Sequence, residues 1–381
     1  MHRIASACLV LFALLASSLA SAKIPTPPSL AARAWLLYDV GSGQVLTAQG
    51  ADERIEPASL TKLMTAYVTF QALKAKTISM QQVAAVSDNS RKKSLDGSRM
   101  FIQPGMPVTV EELVQGMIVV SGNDACIALA ELISGSEEAF VTRMNTEAKR
   151  LGLTNTHFKN ATGLTEDGHY MSPRDLALLS TAIARDFPEY FHFYSQKSFS
   201  YNKITQPNRN RLLFTDPTVD GMKTGHTEAA GYCLVSTAKR GSRRLVSVVT
   251  GTTGDAVRAT ESQKLLNFGF LAWDTVKLYS ANAPVQELEV WQGKTRKLGV
   301  GFQHDLVLSV PQGDAGRVKA QLESRQPLKA PIQKGQALGT LKLTIDGETI
   351  GNYPVVALEE VERAGIFSRW WDALRLWIKN L

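Results

Sequence analysis

Three short motifs stand in one order along the 381-residue chain: Ser59-Leu60-Thr61-Lys62, Ser121-Gly122-Asn123 and Lys223-Thr224-Gly225. If they work together, segments far apart in sequence must be folded onto a single cleft. Few architectures satisfy that demand. Ser-x-x-Lys also starts at Ser90, Ser200 and Ser236, and Ser-x-Asn at Ser87, Ser200 and Ser280, so neither motif says much alone. Lys-Thr-Gly occurs once, where average usage predicts well under about one copy.

Local setting separates the motifs from their decoys. Pro57-Ala58-Ser59 introduces LTKLMTAYVTFQAL, whose apolar residues Leu60, Leu63, Met64, Tyr67, Val68 and Phe70 follow a helical repeat. Ser59 then lies at a helix start, and Lys62 projects one turn on, within reach of its hydroxyl. Ser87 and Ser90 fall in the polar run SDNSRKKS, which reads as solvated loop. Ser121-Gly122-Asn123 separates the apolar stretches VEELVQGMIVV and DACIALAELI, which read as buried helices. Asp124 is expected to cap the second, leaving Ser121 and Asn123 on the connecting loop. A Ser-Gly-Asn turn between helices would by itself mean no more than a good turn. Lys223 falls in TVDGMKTGHTEAAGYCLVSTAKRGSRRLVSVVTGTTG, where Gly-rich turns break apolar runs into three consecutive antiparallel strands.

A serine hydroxyl attacks only if something takes its proton. Lys62 on an apolar helix, facing Lys223, has burial and a like charge lowering its pKa, so it is the expected general base. Ser59 is the expected nucleophile, with a helix start beside the developing oxyanion. The backbone N–H groups of Ser59 and His226 are the expected oxyanion donors. Ser121 would relay a proton to the leaving amine and Asn123 would bond the substrate amide. Lys223 and Thr224 would hold a terminal carboxylate, and Gly225 would let substrate backbone approach.

These motifs are the known signature of penicillin-binding proteins and class A β-lactamases. With PASLTKLMTAY, VVSGNDACIALAE, ITQPNRN and VDGMKTGHTEAAGY around them, the chain resembles the low-molecular-weight penicillin-binding proteins of the D-alanyl-D-alanine carboxypeptidase type over nearly its whole length. The resemblance implies removal of the terminal D-alanine from peptidoglycan pentapeptide stems through an acyl-enzyme that β-lactam antibiotics also form. It implies that Ser59 is acylated, that Lys62 accepts the proton, that Ser121 is the third catalytic group and that Lys223 contacts substrate. Arg258, ahead of TESQKLLNFGF, matches a family arginine that meets the substrate carboxylate. No cofactor or metal is expected, since the six histidines show no paired-ligand spacing. His157, His169, His192 and His304 read as structural or surface residues.

Residues 1–22, MHRIASACLVLFALLASSLASA, combine a basic start, an apolar core and Ala20-Ser21-Ala22, the pattern of a cleaved export signal. A formal charge of +7 in an exported chain points to anionic lipid and cell wall rather than nucleic acid. Removal of Cys8 leaves Cys126 and Cys233, one on a helix and one on a strand, expected as buried free thiols.

The expected fold is α+β. Residues 23–277 form a β-lactamase/transpeptidase-like serine D,D-peptidase domain, an antiparallel sheet with helices, in which the hairpin ARAWLLYDV/QVLTAQ joins the three later strands. Residues 278–360 form a small all-β domain and residues 361–381 an amphipathic helix. In that helix Phe367, Trp370, Trp371, Leu374, Trp377, Ile378 and Leu381 share one face, with Ser368, Arg369, Asp372, Arg375 and Lys379 opposite. The pattern predicts a helix lying in an anionic lipid interface, and with the export signal the resemblance implies peripheral attachment at the periplasmic face of the inner membrane. Packing on the β domain is the alternative, and pairing of two copies is left open. A β-lactamase would need a deacylating carboxylate; Glu166 is the one candidate, with Tyr170 where that family's pattern has asparagine. A D,D-endopeptidase would use the same residues on cross-links.

Overall fold

The computed structural model describes residues 25–379. The expected export signal over 1–22, Cys8 and Leu381 lie outside the described residues.

The hairpin around Gly41-Ser42-Gly43 joins strands Ala34–Asp39 and Gln44–Gln49. Its first strand pairs antiparallel with Arg243–Thr252. The full sheet runs Gln44–Gln49, Ala34–Asp39, Arg243–Thr252, Gly231–Arg240, Val219–Thr227, so the strand carrying Lys223 is an edge. Every residue of Ala34–Asp39 is buried, as expected of a strand covered on both faces. The Asp255–Ala272 helix covers one face, with Leu265 and Leu266 in one core with Leu37 and Leu245. A Cβ on Gly269 would lie 2.6 Å from Leu37, so this glycine sets how closely that helix approaches the sheet.

The helical half of the domain is built around Lys62–Lys74, which is buried almost all round, and this is why Lys62 is cut off from water. The two apolar stretches flanking the second motif form helices Val110–Val119 and Asn123–Ser134, the first opened by a reciprocal Thr109–Glu112 cap. Asp124 does not cap the second. Gly122 holds that position, Asn123 begins the helix, and the Asp124 carboxylate accepts from the N–H groups of Met100, Phe101, Ile102 and Ala125. A loop with three unpaired donors drew the carboxylate away from the cap. The polar run expected as loop contains a short helix, Asp88–Lys93: Ser87 Oγ caps Ser90 N–H, and Arg91, Lys92 and Lys93 suit its C-terminal dipole. Capping and charge stabilise it without any apolar periodicity.

The β-rich part holds a six-stranded sheet, ordered 318–324, 337–345, 348–357, 297–301, 284–291 and 328–329. Its pairing begins ahead of residue 278, because Trp273–Tyr279 pairs with Leu306–Pro311. A separate core of Leu288, Val290, Val300, Leu341, Leu343 and Val355 holds it together. Asp39 joins the two parts. Its fully buried carboxylate accepts from Gly41 and Ser42 N–H, Arg243 Nε and Thr275 Oγ1, while Arg243 also donates to the Trp273 carbonyl.

The last helix, Ile366–Lys379, docks on the β-rich part through its polar side. Asp372 is buried and accepts from Gln292 N–H, and Leu376 is buried beside it. Phe367, Trp370 and Trp377 are 92%, 79% and 62% exposed, so the apolar face points outward.

Candidate active site

A cavity of about 500 Å³ opens between the sheet edge and the helical half, lined by Ser59, Ser121, Asn123, Thr224, Gly225, His226 and Arg258 among others. The structure thus brings the three motifs together.

Ser59 lies in the Ala58–Thr61 turn that leads into the Lys62–Lys74 helix. Lys62 Nζ stands 2.9 Å from Ser59 Oγ, 2.8 Å from Asn123 Oδ1 and 2.6 Å from the Thr162 carbonyl. The last two can only accept, so they hold two of the amine's hydrogens. The third direction faces Ser59. A protonated Lys62 donates to Oγ there; a neutral one presents its lone pair to the serine proton. Burial lowers the Lys62 pKa to about 8, aided by Arg209 and opposed by Cys126 and Asp124.

Lys223 Nζ donates to Ser121 Oγ at 2.9 Å and to the Thr224 carbonyl at 2.9 Å. Burial and then the neighbouring Lys62 lower its pKa well below that of an ordinary lysine. Ser121, with φ 62°, is held in the left-handed region, which for a serine is strained backbone. Lys223 is buried behind Ser121 and the cavity wall is formed by Thr224 to Thr227 instead.

Two further expectations meet a different geometry. Asn123 spends its amide internally, since Nδ2 donates to the Asp96 carbonyl while Oδ1 takes Lys62. Gly225 is required by packing against the turn that carries Ser59: a Cβ there would lie 3.0 Å from the Pro57 carbonyl and 3.3 Å from Ala58. Glu166 is exposed and its carboxylate accepts from Asn160, away from the cavity lining.

Several participants escaped the reading of the motifs. The Thr162 carbonyl comes from a loop pinned by Asn160 Oδ1, which accepts from Thr162 and Gly163 N–H. Gly163, at φ +84°, passes so close to Ala58 that no side chain fits. His169 braces the same loop with Nε2 2.9 Å from Thr61 Oγ1; burial pushes its pKa down to about 4, leaving it neutral. A main-chain carbonyl has no residue signature, so none of this was readable beforehand. Arg209, inside the ITQPNRN run, also lines the cavity. Arg258 is buried beneath Tyr232, its Nη1 donating to the Gly225 carbonyl, and Tyr232 packs against His226 with ring centroids 4.0 Å apart. The cavity therefore carries its positive groups at one end. Cys126 and Cys233 are buried free thiols.

Residues 21–254 match the D-alanyl-D-alanine carboxypeptidase family model, and residues 273–363 match that of the penicillin-binding protein 5 C-terminal domain. The chain is 43% identical to D-alanyl-D-alanine carboxypeptidase DacC of Escherichia coli, over 96% of this chain and 93% of that one. Against DacA of the same organism the figures are 40%, 93% and 89%. Penicillin-binding protein 5 from Haemophilus influenzae superposes with a TM-score of 0.87 at 40% identity, covering 89% of this chain and 100% of that one.

Proposed function

The chain belongs to the D-alanyl-D-alanine carboxypeptidase family and is a serine-type hydrolase that trims peptidoglycan stems and binds penicillins; from that premise we propose how its residues divide the work. The observation that carries the assignment is the Lys62 amine, fixed by two obligate acceptors so that its remaining direction faces Ser59 Oγ. Ser59 Oγ attacks the carbonyl carbon of the penultimate D-alanine and neutral Lys62 takes its proton. The Ser59 and His226 N–H groups stabilise the oxyanion. As the amide C–N bond breaks, Ser121 relays that proton, giving its own to the departing amine and taking the one held by Lys62, with Lys223 holding its hydroxyl in place. Water then cleaves the ester. Asn123 and the Thr162 carbonyl act as positioning groups for the amine. Arg209, Arg258, Thr224 and His226 receive the terminal carboxylate, which suits the positive end of the cavity.

Ser59→Ala is expected to abolish labelling by a fluorescent penicillin with the circular dichroism spectrum unchanged, and labelling that persists defeats the assignment. Incubation with a pentapeptide ending in D-Ala-D-Ala should release one D-alanine by mass.

Export and attachment complete the reading. Residues 1–22 direct the chain to the periplasm, where Ile366–Lys379 lies on the anionic inner membrane with its exposed tryptophans in the lipid interface. No helix of the described residues is long and apolar enough to cross a membrane, and the outward Phe367, Trp370 and Trp377 support the interfacial reading. Truncation after Ala364 should release the protein from anionic vesicles while penicillin labelling continues. Retention of the truncated form counts against it.

A further inference from the structure

A serine and a lysine cut a D-alanyl amide equally well at a stem's end or within a cross-link. In both, Ser59 Oγ forms an ester as the C–N bond breaks, the hydroxyl proton ends on the leaving amine, and water cleaves the ester. The leaving residue carries a carboxylate in both. Where terminal D-alanine ends in a methyl group, however, the leaving residue of a cross-link continues through its side chain into a second stem. Only room on the leaving side separates the two reactions.

On the carboxylate-binding reading, that side is lined by three charged residues that bridge one another. Asp255, the first residue of the Asp255–Ala272 helix, pairs through Oδ1 with Arg258 Nη2 at 2.5 Å and through Oδ2 with Arg211 Nε. The inner arginine is 6% exposed and the outer one 60%. Both ends are anchored. Arg258 donates to the Gly225 carbonyl, and buried Asn210, next to Arg211, donates to the Gly221 carbonyl while accepting from Leu212 N–H. Behind this bridge lies a second cavity of about 630 Å³, and Arg211 lines both. Thr215, Thr260, Gln263 and Asn267 line the second cavity with hydroxyl and amide groups. Of these, Gln263 Nε2 donates to Asp216, Asn267 Oδ1 accepts from Arg240 and Thr215 donates to the Arg211 carbonyl, leaving the Asn267 amide N–H groups and the Thr260 hydroxyl to face a peptide.

We propose that the Arg211–Asp255–Arg258 bridge is a specificity wall that confines cleavage to the last residue of a stem, and that the cavity behind it has the room and polarity to take the second stem of a cross-link. This rests on the carboxypeptidase reading of the site. The bridge leaves the enzyme's own substrate unobstructed, since the leaving D-alanine ends in a methyl group and does not extend past it.

The test measures kcat/KM on a D-Ala-D-Ala pentapeptide and on a purified cross-linked stem dimer, for the full-length protein and for Arg211→Ala, Arg211→Lys and Asp255→Ala. The Arg211 side chain is exposed, so its truncation leaves the core untouched. In both alanine variants the dimer-to-pentapeptide ratio should rise about tenfold or more, while Arg211→Lys stays near the parent. An unchanged ratio in both alanine variants, or a proportionate loss on the two substrates, overturns the wall. A parent protein that labels with penicillin but leaves the pentapeptide intact would instead overturn the carboxypeptidase reading.

Discussion

If neutral Lys62 is the base, acylation must follow its titration. The amine is 1% exposed, and burial brings its pKa to about 8, which corresponds to about 3 kcal/mol of disfavoured charge. Because the pKa is depressed, the active form grows as pH rises. The neutral fraction is about one in a hundred at pH 6, about a tenth at pH 7 and about half at pH 8, so acylation should quicken roughly fifty-fold across that range and level off above it. Stopped-flow or gel measurement of the second-order rate with a fluorescent penicillin reads this directly. His169 stays neutral throughout, and repeating the profile with His226→Asn assigns the midpoint to the amine rather than to the imidazole facing the same cavity. Lys62→Arg, whose guanidinium stays charged, should lose about a hundredfold or more. A flat profile between pH 6 and 8, or a rate that falls as pH rises, would refute the reasoning.

Two predictions concern the scaffold. Asp39→Ala removes a fully buried carboxylate that accepts four hydrogen bonds and leaves the Arg243 guanidinium without its buried counter-charge, so it should cost about 3 kcal/mol in urea unfolding, with penicillin acylation in the remaining folded protein unchanged. Gly163→Ala forces a side chain onto the Ala58 carbonyl at a positive φ. It should lower stability by about 2 kcal/mol or more and slow acylation, because the loop that holds Lys62 by Thr162 must move; a variant that acylates at the parent rate would show that the Thr162 contact is dispensable.

Much of this protein could be read along the chain. Spacing of three placed Lys62 one turn from Ser59, alternation and glycines marked the strands around Lys223, and the tryptophan stripe marked the last helix, because these are consequences of backbone periodicity within a few residues. The misread pieces are those in which a local signal competed with a distant partner. Asp124 looked like a cap until the loop at Met100 to Ile102 claimed its carboxylate, and Gly225 looked like an opening for substrate until the Pro57 turn proved to occupy that space.

From the order of residues alone came the placing of Lys62 one turn from Ser59, the strand carrying Lys223 and the split into a mixed part and a β-rich one. Only the packed structure decided that Asn123 and a main-chain carbonyl aim the Lys62 amine, that Lys223 sits behind Ser121, and that Asp255 ties Arg211 to Arg258 at the rear of the cavity. A short motif encodes which atoms can react. Burial and hydrogen bonds across the cleft settle how those atoms are charged and where they point, and those depend on contacts between residues that the chain keeps far apart.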